Sequence, residues 1–175
     1  MNLRETLLAE HSRAQTQKIV DYIGKDQARF DALLEIFLYA EYRLVQRAAW
    51  VIGHAAHQHP QLLQPHLSAV FENLRRPGIH DAVKRNTLRV LIKQDIPEEL
   101  WGEAADICFG FVQSGYEPVA VKVHSMVVLM NITRKLPELG YELRGSIEAL
   151  LPEGTAGIRS RGKKILKELD KMGIH

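Results

Sequence analysis

Four histidines fall in one stretch, His54, His57, His59 and His66 within GHAAHQHPQLLQPH. Imidazoles bind zinc and move protons near neutral pH, so this cluster is the first place to look for chemistry. His54 and His57 are three apart and share a face of any helix they occupy. A catalytic zinc site needs about three protein ligands and a supporting shell, and neither HExxH nor CxxC occurs here. Exposed or capping histidines are therefore the expectation, with no metal and no cofactor. The single cysteine, Cys108, falls on an apolar stripe and reads as a core residue instead of a nucleophile. A glycine-rich phosphate loop and a GxSxG elbow are both missing, so no catalytic residue is assigned and no enzyme is expected.

The remaining chemistry is charge. The chain holds 23 Lys/Arg and 21 Asp/Glu in 175 residues, a net of only +2. That balance does not call for nucleic acid or an anionic membrane. Its distribution is more informative and depends on the elements that carry it.

Those elements recur. VQRAAWVIGHAAHQHP begins at Val45, VKRNTLRVLIKQDIP at Val83, VKVHSMVVLMNITRKLP at Val121, and a degenerate IRSRGKKILKELDKM at Ile158. The lead residues are spaced 38, 38 and 37 apart, the signature of a stacked helical array. Each copy is the second helix of a pair, predicted near 41–58, 80–95, 118–135 and 156–172. First helices are predicted near 27–39, 61–76, 98–114 and 138–151, with apolar residues three and four apart. Residues 2–25 read as helix interrupted near His11 or Ser12, a cap for the stack. Gly78, Gly115 and Gly154 are placed in the turns within pairs, as residues able to take positive φ. Pro60, Pro97 and Pro137 are placed where first helices begin.

Counting from each lead residue, the fourth position onward is small: Ala49, Thr87, Ser125 and Gly162. The seventh is branched: Ile52, Val90, Val128 and Ile165. The lead is followed by Gln46, Lys84, Lys122 or Arg159, and the first three copies are preceded by Glu41, Asp81 or Glu117. Over about residues 27–172 this pattern resembles the HEAT-repeat family, whose second helices begin with an acid, then Val or Ile with a basic residue, then a small residue. The fourth copy departs from it, having no acid before Ile158. The resemblance implies an all-α fold, a right-handed α-α superhelix of about four helix pairs plus the N-terminal cap. The chain reads as a single domain over 1–175, with the cap at 1–26 and pairs at 27–58, 61–95, 98–136 and 138–172. Lys84 and Lys122 are expected to pair with neighbouring acids inside the stack.

With their flanking turn residues, second-helix segments 41–58, 80–95, 117–136 and 155–172 hold 15 Lys/Arg against 6 Asp/Glu, a net of +9, and first-helix segments 27–40, 61–76, 97–115 and 138–154 hold 4 against 11, a net of −7. In HEAT-like arrays the second helices line the concave side, so the resemblance implies a basic groove and an acidic back. The expected groove residues are Arg47, Trp50, His54, Arg85, Arg89, Met126, Met130, Lys163, Lys164 and Lys167, with Lys93, Arg134 and Arg161 near its edges. A solvated helix face is the plain alternative for the charges. Packing between neighbouring second helices is the alternative for Val51, Leu88, Met126 and Met130.

The function expected is a non-enzymatic scaffold holding a protein or peptide partner, an acidic one included. The alternative is nucleic-acid binding by the same face. It includes a resemblance to HEAT-like alkylpurine DNA glycosylases, which pair a basic concave face with aromatic residues and a carboxylate. The charged N-terminus, the lack of an ~18-residue apolar run and the single cysteine lead to an expectation of no membrane and a reducing, cytoplasmic setting.

Overall fold

The computed structural model describes all of residues 1–175 and contains ten α-helices and no strand. It divides into two compact units, Met1–Gln94 and Asp95–His175, with the boundary between the second and third repeats.

In the Met1–Gln94 unit, α1 (Leu3–Ala9) begins at Asn2, whose side chain accepts from the Glu5 amide. Ser12 ends the interruption: its hydroxyl accepts from the Gln15 amide and starts α2 (Arg13–Ile23). Gly24, at φ +48°, stops α2 and donates to the Val20 carbonyl. Asp26 then caps α3 (Gln27–Tyr39). α4 (Tyr42–Gln58) is the element the unit is built on, packing against α1, α2, α3 and α6 (Asp81–Leu91). Its lead, small and branched positions, Val45, Ala49 and Ile52, are all buried against a core that includes Phe30, Leu33, Phe37 and Phe71. Each of the larger apolar side chains here, Val, Ile, Leu or Phe, stabilises the fold by about 1.5–3 kcal/mol through burial alone.

The helix predicted over 61–76 is shorter than expected. Two 3₁₀ turns, Pro60–Leu62 and Gln64–His66, precede α5 (Leu67–Arg75). Pro60 and Pro65 explain this, since proline brings no N–H and pushes its predecessor away from helical geometry.

In the Asp95–His175 unit, a 3₁₀ turn Glu98–Leu100 leads into α7 (Trp101–Gln113), followed by α8 (Val119–Thr133), α9 (Leu139–Leu150) and α10 (Ala156–Lys171). α8 is covered by α7, α9 and α10, which accounts for its apolar residues on every side.

Gly162 of α10 explains the small position. A Cβ there would lie 2.9 Å from Ile147 Cγ2 and 3.1 Å from Leu151 Cδ2, so the helices of the pair touch where the side chain is missing. The branched positions Ile52, Val90, Val128 and Ile165 are all buried beside it or its equivalents. Among the turn glycines, only Gly78 takes the expected positive φ, at +71°. Gly115 and Gly154 do not. Gly154 is needed for closeness, because a Cβ would come 2.7 Å from the Leu150 carbonyl oxygen.

Candidate functional site

Within the Met1–Gln94 unit, α2, α4 and α6 pack as neighbours, α4 in the middle. Trp50 projects from α4 and stays 47% exposed, an unusual state for the largest apolar side chain. It lies where two clefts meet. One, of about 300 Å³, is lined by Trp50, Gly53, His54, Ala56 and His57 of α4 and by Arg89, Val90, Lys93 and Gln94. The other, of about 490 Å³, is lined by His11, Ser12, Arg13, Thr16 and Gln17 together with Trp50 and His54. Neither lining contains a carboxylate.

The Arg89 guanidinium is held over the Trp50 ring, 5.1 Å from its centroid, and His11 meets the ring edge-on at 6.5 Å. Burial, and then the charge of Arg85, lower the Arg89 pKa. Both effects act against a cation, and no acid offsets them: Arg85, Arg89 and Lys93 make no ion pair. Gln94, 7% exposed, closes the first cleft by donating to the Ala56 carbonyl at 3.4 Å, while its own Oε1 has no partner.

The expected groove residues separate into three groups. Trp50, His54, Arg85 and Arg89 come together on α4 and α6. Lys163, Lys164 and Lys167 are exposed on α10, in the other unit. The rest are corrected by their surroundings. Met126 and Met130 are 0% and 2% exposed, filling the interior around α8 and offering no surface. Val51 and Leu88 are likewise buried. Arg47 is turned to a structural task, donating to the Leu7 carbonyl at 2.7 Å and so satisfying the C-terminal turn of α1. Arg134, expected at the edge, pairs with Glu168 at 2.6 Å.

Of the basic residues after the lead positions, Lys84 makes the expected ion pair, Lys122 is buried without one, and Arg159 is exposed. Lys84 is 3.6 Å from Asp81, and Lys122 is 8% exposed. Arg159, which has no acid before it in its own repeat, donates to the carbonyls of Leu151 and Pro152 at 3.3 and 3.0 Å.

No group of three or more His, Cys, Asp or Glu side chains is arranged to hold a metal ion. His66 has a role that its neighbours in sequence do not reveal. It lies 2.6 Å from Asp31 Oδ1, across 35 residues, and the Gln27 amide donates to the same oxygen at 2.7 Å and to the Leu62 carbonyl at 2.9 Å. Cys108 is fully buried, and burial pushes its thiol up to about 12, the Ser125 hydroxyl pulling weakly the other way. A thiol so held is not a nucleophile at neutral pH.

Repeated helix pairs with a buried small position and a divergent outer face define a helical-repeat protein. A family profile described as a HEAT repeat domain matches residues 3–169, and the chain belongs to that family. The match takes in α1 and α2 as well as the helix pairs that follow. Neither the curated proteins nor the solved structures provide a match. HEAT repeats generally serve as scaffolds for protein interaction and are typically non-enzymatic. No helix is long and apolar enough to cross a membrane.

Proposed function

We propose that the chain is a non-enzymatic binding scaffold that holds a protein or peptide partner on its second helices. The observation that carries this reading is Trp50, half-exposed between two clefts on the layer formed by α2, α4 and α6. An aromatic anchor flanked by clefts and ringed by polar groups is how protein-binding surfaces concentrate their energy. Catalysis finds less support. The clefts carry no carboxylate, which glycosylase-like chemistry needs, and the only thiol is buried.

The test is site-specific photocrosslinking in cells. A crosslinking amino acid replaces Trp50 in one variant and Glu72, an exposed residue of α5, in another. A discrete protein adduct from position 50 that is missing from position 72 is expected. Adducts at 72 alone would overturn the reading.

The unpaired cations Arg85, Arg89 and Lys93 favour a second reading, nucleic-acid binding. It predicts an affinity for DNA or RNA that falls steeply with salt, with a slope near the number of phosphates contacted. A flat salt dependence would remove it.

A further inference from the structure

We infer that the α4–α6 face of the Met1–Gln94 unit receives an acidic, extended segment of a partner protein, with carboxylates on Arg85, Arg89 and Lys93. The inference rests on the scaffold reading above and specifies its partner.

Spacing is the first argument. Arg85, Arg89 and Lys93 follow one another at four-residue intervals along α6 and just past its end. A helix rises 1.5 Å per residue, so successive members of this column are about 6 Å apart. An extended chain returns to the same side every second residue, at about 6.6 Å. Acids at alternate positions of such a chain can each meet one cation, in step over three contacts.

Charge is the second argument. A cation that is partly buried and beside another cation is unfavourable until an anion arrives. Arg89 is in that position, next to Arg85 and without an acid, while the neighbouring first-cleft lining adds Lys93 and two imidazoles. Some arginines elsewhere in the chain are matched by acids, Arg134 by Glu168 and the part-buried Arg144 by Glu148 and Asp170. The column on α6 is left unmatched.

Trp50 decides between macromolecules. Proteins that bind single-stranded nucleic acid combine a basic groove with open aromatic faces on which bases stack. Here Arg89 already lies over the ring and His11 meets its edge. What remains, the exposed part of the indole beside the cleft of about 300 Å³, suits an apolar side chain flanking the acidic run on the same side of the segment.

The experiment is fluorescence anisotropy on the full chain with three labelled probes. They are a peptide with glutamate at alternate positions and leucine or serine between, the same peptide with glutamine for glutamate, and a single-stranded oligonucleotide of equal charge. The glutamate peptide is expected to bind at least about ten-fold more tightly than the glutamine peptide and the oligonucleotide. The exposed-site variants Arg85→Glu and Lys93→Glu are expected to weaken it about ten-fold each with an unchanged unfolding curve. Equal binding of the glutamine peptide, tighter binding of the oligonucleotide, or full affinity in the Arg85→Glu/Lys93→Glu double variant would each overturn the inference. Competition separates this inference from the scaffold reading. A partner crosslinked at position 50 but not displaced by the glutamate peptide leaves the scaffold standing and removes only the acidic segment.

Discussion

Arg89 holds its guanidinium 5.1 Å above the ring of Trp50, joining α6 to α4 at the point where the two outer clefts meet. A cation over an indole at a half-exposed site contributes about 0.5–1 kcal/mol. A double-mutant cycle with Arg89→Ala and Trp50→Ala, read by urea unfolding, is expected to return a coupling of about that size. A coupling indistinguishable from zero would mean that the two residues are not held together in solution.

Gly162 and Gly145 are two helical glycines in the same unit with opposite expectations. A Cβ at Gly145 of α9 meets nothing within 4 Å, so Gly145→Ala gains helix propensity, about 0.5–1 kcal/mol. A Cβ at Gly162 presses on Ile147 and Leu151, so Gly162→Ala is expected to lose about 1–3 kcal/mol through overpacking. Thermal unfolding of the two variants tests the sign of each. A stabilised Gly162→Ala would show that the close contact of α9 and α10 is not a packing requirement.

Asp31 has a lowered pKa, first because the Gln27 amide donates to it and then because His66 does, with burial opposing. A carboxylate with a depressed folded-state pKa contributes stability that is present above its unfolded pKa, near 3.8, and is lost as pH falls through the folded value. Asp31→Asn is therefore expected to cost less than about 1 kcal/mol at neutral pH, as befits a partly exposed pair. The difference from the parent chain should vanish in strong acid. Urea midpoints at pH 7 and in strong acid check this, and a penalty that persists in acid would assign the effect to packing.

Cys108 is expected to resist thiol reagents in the folded chain, because its thiol is buried and pushed up to about 12. Labelling should proceed at full rate only in denaturant. Rapid labelling under native conditions would indicate opening of the α7–α8 pair.

The repeat was legible because packing writes it into local sequence. Val45, Ala49 and Ile52 recur as types, and each is buried where its period places it. The outer face was legible only in part. Trp50, Arg85 and Arg89 are brought together, but Met126 and Met130 face inward because α8 is covered by three helices, a fact of neighbours that no single helix reveals. The polar links were missed for a related reason. Arg47 to Leu7, Gln94 to Ala56, His66 to Asp31 and Arg134 to Glu168 span 40, 38, 35 and 34 residues. The last three join equivalent parts of adjacent repeats, and the first ties α4 to α1. Comparing each polar residue with those about one period away would have found them.

Charge reversal on α6 compared with charge reversal at Glu72 of α5, outside both clefts, tests the central claim most directly. The partner crosslinked through position 50 is titrated against the parent chain, the Arg85→Glu/Lys93→Glu variant and the Glu72→Lys variant, each checked for an unchanged unfolding midpoint. Loss of affinity of about ten-fold or more in the Arg85→Glu/Lys93→Glu variant, with Glu72→Lys close to the parent, is the predicted result. Parent-like affinity in the former with loss in the latter would contradict it.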